Sequence, residues 1–146
     1  MLDASLKRLQ VDHVDIIQIH QLGDHALGGQ ADTGLNRLDN PALYEAIEAA
    51  KKAGKARFAG ATSHVNNRLE ILSKAINSGH FDMILVKYNF SEYDSASIPA
   101  LLKLCKDKNI GVVAMKAQQN NQQVAKLAGQ MPDIWQANLL QRLYSH

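Results

Sequence analysis

Short apolar runs alternate with amphipathic segments along this chain. Asp15 to Gln21 is a nearly continuous apolar run, and similar runs occupy 55–63, 83–86 and 110–116. Runs of this length, bounded by polar residues, are typical of parallel strands that are buried on both faces. Between these runs, apolar residues recur at helical spacing. Strand and helix alternate about every 25 to 35 residues, as βα units require. The pattern predicts an α/β fold with about four parallel strands and intervening helices.

The helix boundaries carry residues with marked backbone preferences. Asn40 can cap a helix and Pro41 fits a first helical turn, so a helix is predicted over 41–53. Three residues are suited to end helices in a left-handed conformation: Gly54, Gly79 and Asn109. Apolar spacing predicts the remaining helices over 2–10, 69–76 and 97–108. After His20 comes a polar loop with irregularly spaced glycines at 23, 28, 29 and 34, which is long enough to cover a site but is interpreted as a surface loop rather than a lid.

Two architectures suit this alternation. One is an open, doubly wound sheet, and the other is part of a (β/α)₈ barrel. The glycine fingerprint that binds a dinucleotide in the first is absent, and four units are only half of the second. The pattern alone leaves both open.

Composition narrows the class of protein without identifying it. The chain has 146 residues, 46% of them hydrophobic, and a formal charge of +2, which suits one globular domain. The basic residues form no stripe, so neither a nucleic-acid partner nor a membrane is expected. The single cysteine, Cys105, cannot form an intramolecular disulfide and lies on an apolar helix face, where we expect a buried thiol. We expect a cytoplasmic location.

His20 is the main candidate for chemistry. It ends the first apolar run, and the carboxyl ends of parallel strands are where α/β enzymes place reactive groups. Four other histidines lie in turns, loops or the terminus without the spacing of metal ligands, and we interpret them as surface residues: His13, His25, His80 and His146. No metal site is predicted. Asp15 and Asp82 precede strands, where a stabilising role at the opposite end of the sheet is expected.

Several blocks of sequence resemble one known family. Ser5 to His20, SLKRLQVDHVDIIQIH, closely resembles the aldo-keto reductase segment that leads into the fourth barrel strand and ends on a catalytic histidine. Ala50 to Ser63 looks like the next helix and the fifth strand, while 81–89 and 110–116 look like the sixth and seventh. The match covers about 5–117 in the correct order. It implies a partial (β/α)₈ TIM barrel, with 1–146 as a single partial domain and 118–146 as a helical tail of unclear placement.

The resemblance also implies a reaction. Members of this family bind a nicotinamide cofactor, usually NADPH, and transfer its hydride to an aldehyde or ketone. Their site uses an aspartate, a tyrosine, a lysine and a histidine, of which only the histidine falls inside this chain, at His20. The other three belong to earlier strands and loops.

The resemblance implies some, but not all, of the family's contacts with the cofactor. Ser63 and His64 match the Ser-Asn pair that holds the nicotinamide amide, with histidine in place of asparagine. Leu85 stands where the family has a glutamine that also contacts the amide, and Met115 where many members have a stacking aromatic. Lys116 follows Met115, at a position suited to contact the pyrophosphate of the cofactor. Ser63 could instead cap the following helix, and Lys116 could be a solvated cation.

These observations lead to two expectations. The first is an oxidoreductase that reduces small carbonyl substrates with NADPH in its full-length form, while this chain binds the cofactor weakly or not at all and is weakly active or inactive. The second is a non-catalytic half-barrel that acts as a binding or assembly module. In that case a homo-oligomer closes the open barrel, because four parallel strands leave two edges and one apolar face uncovered.

Overall fold

The computed structural model describes residues 2–20, 22, 35–64, 67–89 and 97–117, with the side chains of 35, 36 and 97 left aside. Most of the glycine-containing loop, His25, His146 and the tail 118–146 lie outside these residues. The elements, in chain order, are α1 (Leu2–Leu9), β1 (Val14–Ile19), α2 (Leu35–Leu38), α3 (Pro41–Lys52), β2 (Ala56–Thr62), α4 (Arg68–Asn77), β3 (Met83–Lys87), α5 (Ser97–Asp107) and β4 (Gly111–Met115). The predicted strands and helices are present. The short helix α2 was not predicted.

The four strands form one parallel sheet in the order β1-β2-β3-β4. Its register is given by cross-strand pairs such as Ile16 with Phe58, Gly60 with Met83, and Leu85 with Val113. A doubly wound sheet reverses its strand order at a switch point, whereas a barrel adds each strand beside the previous one. The consecutive order therefore decides between the two architectures and confirms a partial (β/α)₈ barrel.

The core lies between the helices and one face of the sheet, which we call the helix face. Alternation along the strands directs every second side chain to this face. The strands contribute Ala59, Ala61, Ile84 and Val86, and the helices contribute larger residues, among them Ile47, Ile71, Leu72, Leu101 and Cys105. Cys105 is buried, as predicted, and its burial raises the pKa of the thiol.

The predicted helix caps are confirmed. The Asn40 side chain accepts a hydrogen bond from the Ala42 amide at 3.0 Å, which satisfies one of the free donors at the start of α3. Gly54, Gly79 and Asn109 have φ angles of 68°, 77° and 56°, so each takes the left-handed conformation expected after a helix.

The prediction that the strands are buried on both faces is wrong. The second face, which we call the lumen face, carries Ile16, Phe58 and Val113 with 43%, 43% and 47% of their surfaces exposed. In a complete barrel this face is filled by side chains from all eight strands. The described residues supply four strands, so the apolar residues of the lumen face have too few neighbours to be covered.

Ionic contacts tie the amino-terminal ends of the strands together. One oxygen of Asp82, Oδ2, accepts hydrogen bonds from the Ala59 amide at 2.8 Å and from Lys51 Nζ at 2.8 Å. Arg57 donates to Asp15 Oδ1 at 2.6 Å across β1 and β2. Both aspartates therefore stabilise strand pairing at the end of the sheet away from His20.

His80 is more enclosed than predicted for a surface histidine. Its ring stacks on Tyr44 with 4.4 Å between centroids, and its Nδ1 lies 2.9 Å from Glu48 Oε1. The histidine is half-buried because it packs α3 against the turn before β3. His13, by contrast, is exposed, as predicted.

Gly60 provides the first test of this packing. A Cβ built at this position would overlap Gln18 Oε1 and lie 3.0 Å from both Gln18 Cδ and Met83 Cγ. We expect Gly60→Ala to lower the free energy of unfolding by about 1 kcal/mol, at the low end of overpacking costs because the end of the flexible Gln18 side chain can shift, as measured by urea denaturation. Gly111→Ala is the matched control, since its Cβ would meet Met83 Cβ at an ordinary 3.4 Å.

The Gln18→Ala background separates overlap from any general effect of a glycine substitution. Removing the Gln18 side chain should make Gly60→Ala markedly less destabilising, because the overlapping atoms are gone. Equal costs of Gly60→Ala in both backgrounds would contradict this packing.

Candidate functional site

His20 lies at the carboxyl end of β1, as predicted. The pairs Gln18 with Gly60 and Ile19 with Ala61 are the last that β1 forms with β2, and His20 follows directly. Ile19 packs against the core on the helix face, so alternation directs Gln18 and His20 to the lumen face. The His20 side chain is exposed there and open to a ligand.

The structure brings His64 next to His20. Their ring centroids are 6.0 Å apart and the ring planes meet at 76°, an edge-to-face arrangement. His64 lies two residues after the end of β2, and His20 lies one residue after the end of β1. The sequence predicted both as site residues, with separate roles toward substrate and cofactor, but not their mutual contact. Two imidazole rings therefore lie next to each other at the carboxyl rim of the sheet.

Buried polar atoms belong to residues one or two positions before these histidines. Among the described residues, Thr62 Oγ1, Ser63 Oγ and Gln18 Nε2 are buried and have no hydrogen-bond partner. An unsatisfied buried group of this kind costs about 1 to 3 kcal/mol, and functional sites are where such costs are found. Thr62 and Gln18 were not singled out from the sequence, although each lies two residues before a histidine of the site.

Ser63 does not cap the following helix. Helix α4 begins at Arg68, and its N-cap residue is Asn67, which makes no side-chain capping bond. The alternative role proposed for Ser63 from the sequence is therefore wrong, because the helix begins too far along the chain. Its hydroxyl stays available to another partner.

Lys116 lies at the same rim, beyond β4. It is exposed and has a φ angle of 53°, which is unusual for a residue other than glycine. Its carbonyl accepts a hydrogen bond from Asn89 Nδ2 at 3.1 Å, and the Tyr88 amide donates to Met115 O at 3.2 Å. Asn89 was missed as a site-building residue, and its position just after a buried strand was the available signal.

Strands β3 and β4 contribute part of the lumen face below the rim. Leu85 pairs with Val113, and Lys87 pairs with Met115. Since Ile84 and Val86 are buried in the core on the helix face, Leu85 and Lys87 lie on the lumen face. Leu85 and Met115 are half-buried apolar residues.

The described residues at the carboxyl ends of the strands include basic side chains. The described residues that follow the strands, 20, 22, 63–64, 88–89 and 116–117, include no aspartate or glutamate. Lys87 and Lys116 lie in the same part of the structure as the two histidines.

Two structural features are absent from the described residues. These residues contain no group of three or more histidine, cysteine, aspartate or glutamate side chains arranged to hold a metal ion. None of the helices in these same residues has the length and apolar character needed to span a bilayer.

Comparison with known proteins identifies relatives. A sequence model of the Aldo/keto reductase family matches residues 1–122. L-galactose dehydrogenase from Arabidopsis thaliana is 30% identical over 115 residues, a match that covers 77% of this chain and 32% of that protein. This chain therefore spans about a third of that relative's length.

Solved structures show the same fold. An aldo/keto reductase from Brucella melitensis is 19% identical with a TM-score of 0.52, and the match covers 88% of this chain and 44% of that one. An aldo/keto reductase from Klebsiella pneumoniae, solved in complex with NADP and acetate, is 22% identical with a TM-score of 0.50 and the same coverage. In each case this chain accounts for less than half of the barrel enzyme.

Proposed function

Since the chain belongs to the aldo/keto reductase family, we propose that it acts in the NADPH-dependent reduction of aldehydes or ketones. The observation that carries the proposal is the position of His20, exposed at the carboxyl end of β1 on the lumen face. The proposed substrate is a small carbonyl compound. Its identity and a cytoplasmic location stay predictions from the sequence.

His20 can assist this reaction by binding the carbonyl oxygen. An imidazole N–H that donates to this oxygen polarises the bond and stabilises the negative charge that develops on it. Bound NADPH would supply the hydride. The family's aspartate, tyrosine and lysine have no counterpart in this chain, and one lost donor typically lowers the rate by about 10² to 10³. We therefore propose weak activity for this chain.

The residues present suit some of the contacts that a nicotinamide cofactor needs. Ser63 Oγ is buried and unsatisfied among the described residues, as suits a hydroxyl that pairs with an amide, and His64 is adjacent. Lys116 offers an exposed cation for a phosphate group. Leu85 and Met115 replace the amide-binding glutamine and the stacking aromatic of the family. We propose weak binding through Ser63, His64 and Lys116.

Turnover tests the role of His20. The purified chain, mixed with NADPH and a reactive aldehyde, should oxidise NADPH slowly, and His20→Ala should lower this rate by about 10², since it removes the donor to the developing oxyanion. His13→Ala is the matched control, because His13 is exposed near the opposite end of β1. Equal rates for the two variants, or rapid and saturable oxidation by the unaltered chain, would contradict the proposal.

NADPH binding tests the role of Lys116. Lys116→Ala should weaken binding about 3- to 10-fold, measured by the change in NADPH fluorescence on titration, and should reduce the salt dependence of the affinity. Lys108→Ala is the control, since this exposed lysine lies at the carboxyl end of α5, away from the rim. The same loss in both variants would show a general charge effect and would contradict a phosphate contact at Lys116.

A second candidate function is assembly of a barrel from two copies. The exposed lumen residues Ile16, Phe58 and Val113 favour it, as do β1 and β4, each of which has one neighbouring strand in the described part of the chain. A twofold axis along the barrel would place β4 of one copy parallel to β1 of the other. The two copies would then supply eight strands and cover both lumen faces.

Sedimentation equilibrium tests this assembly. We expect a discrete species with twice the 16.1 kDa mass of one chain. Phe58→Glu should shift it toward monomer, because a charge in the closed lumen is strongly unfavourable. Leu9→Glu, at a position 62% exposed on α1, should leave the mass unchanged. A monomer of the unaltered chain would contradict the assembly, and would leave the lumen face to other parts of a longer polypeptide.

A further inference from the structure

Lys116 has a left-handed backbone conformation that its place in the chain does not require. Among the described residues other than glycine, three have a positive φ angle: Gln10, Asn109 and Lys116. Gln10 and Asn109 follow α1 and α5, where a left-handed residue commonly ends a helix. Lys116 instead follows a strand, and lysine lacks the short polar side chain that makes this conformation easier for asparagine. Residues of this kind persist only where their surroundings hold them, and they cluster at ligand sites.

The conformation of Lys116 affects which side of the sheet its side chain can serve. Ile84 and Val86 lie on the helix face, so their partners in β4, Val112 and Ala114, lie on that face too. In a continued strand, alternation would direct Lys116 to the same face as Ala114, away from the lumen. A left-handed residue ends the extended chain, so the alternation stops at Lys116. A phosphate contact on the lumen side therefore requires this break in the strand.

Two contacts from the chain that follows β3 hold the backbone at this point. The Tyr88 amide donates to Met115 O at 3.2 Å, which extends the pairing of β3 with β4. Asn89 Nδ2 donates to Lys116 O at 3.1 Å, so a side chain fixes the peptide group that follows Lys116. Asn89 is only 6% exposed, and the atoms around it restrict its own rotation. Its amide is therefore a fixed donor to the left-handed residue.

We propose that Asn89 is a positioning residue, which holds Lys116 in the left-handed conformation so that its ammonium group can contact a phosphate group of NADPH. This inference rests on the proposed function and adds to it a residue that acts through Lys116 without touching the cofactor. Asn89 also takes part in other interactions, so a loss of stability on its replacement does not isolate this role. The specific consequence is that the effect of Asn89 on NADPH affinity depends on the Lys116 side chain.

A double-mutant cycle tests this dependence. Asn89→Ala should weaken NADPH binding about 3- to 10-fold, as Lys116→Ala does, measured by fluorescence titration. Adding Asn89→Ala to Lys116→Ala should cause no further loss, because the side chain through which Asn89 acts is already gone. Asn77→Ala is the matched control, since Asn77 is exposed at the end of α4, and it should leave the affinity unchanged.

Additive losses in this cycle would overturn the positioning role. A further loss of about 3-fold or more in the Lys116→Ala background would show that Asn89 supports binding by a route other than Lys116. Circular dichroism checks that each variant is folded. If Asn89→Ala does not fold, Asn89→Leu takes its place in the cycle, because leucine fills the buried position but cannot donate a hydrogen bond.

A second measurement needs no cofactor. Backbone NMR couplings report the φ angle of Lys116, which should be positive in the unaltered chain and in Asn77→Ala, and negative in Asn89→Ala. A positive φ angle retained in Asn89→Ala would overturn the proposal. If the unaltered chain does not bind NADPH, the proposed cofactor contact of Lys116 fails, while the φ angle still decides whether Asn89 holds this residue.

Discussion

The site depends on one constraint, the parallel and in-register pairing of β1 with β2. In a pleated strand, side chains alternate between the two faces, so a slip of one residue would move every side chain to the other face. The pairs of Gln18 with Gly60 and Ile19 with Ala61 therefore determine that His20 and His64 emerge on the lumen face together. Neither histidine needs a special local conformation to reach the other.

Contacts along the pairing maintain this register. At the amino-terminal end, Asp82 accepts the Ala59 amide and Lys51, and Arg57 pairs with Asp15. In the middle of the strands, the missing side chain of Gly60 leaves room for Gln18 to lie over the sheet. The ionic contacts thus lie on the side away from the rim, and the unsatisfied hydroxyls of Thr62 and Ser63 lie close to it. This division between a stable end and a reactive end is typical of barrel enzymes.

Much of the fold could be predicted from sequence because its signals are local. Asn40 and Pro41 begin α3, Gly54 follows it with a positive φ angle, and Ile84 and Val86 form a buried strand. The exposure of Ile16 and Phe58 was not predicted, because the same apolar run is expected in the sequence whether the barrel lumen is filled or open. Helix α2 has four residues, which are too few to show a helical periodicity in the sequence.

The candidate site was predicted residue by residue but not as an arrangement. His20, Ser63, His64 and Lys116 were found because motif resemblance assigns a role to single positions. The contact between His20 and His64 and the bond from Asn89 to Lys116 join residues far apart in the chain, which only the register of the strands brings together. The unsatisfied Thr62 hydroxyl likewise has no sequence signal, since its partners depend on packing around it.

The most direct test of this account is the nuclear Overhauser effect between the ring protons of His20 and His64. Rings with centroids 6.0 Å apart bring some of their protons close enough for magnetisation transfer, so a cross-peak between them is expected. The absence of that cross-peak, together with contacts from the His20 ring to core methyl groups of Ile47 or Leu72 on the helix face, would contradict it. That result would place the imidazole on the wrong side of the sheet.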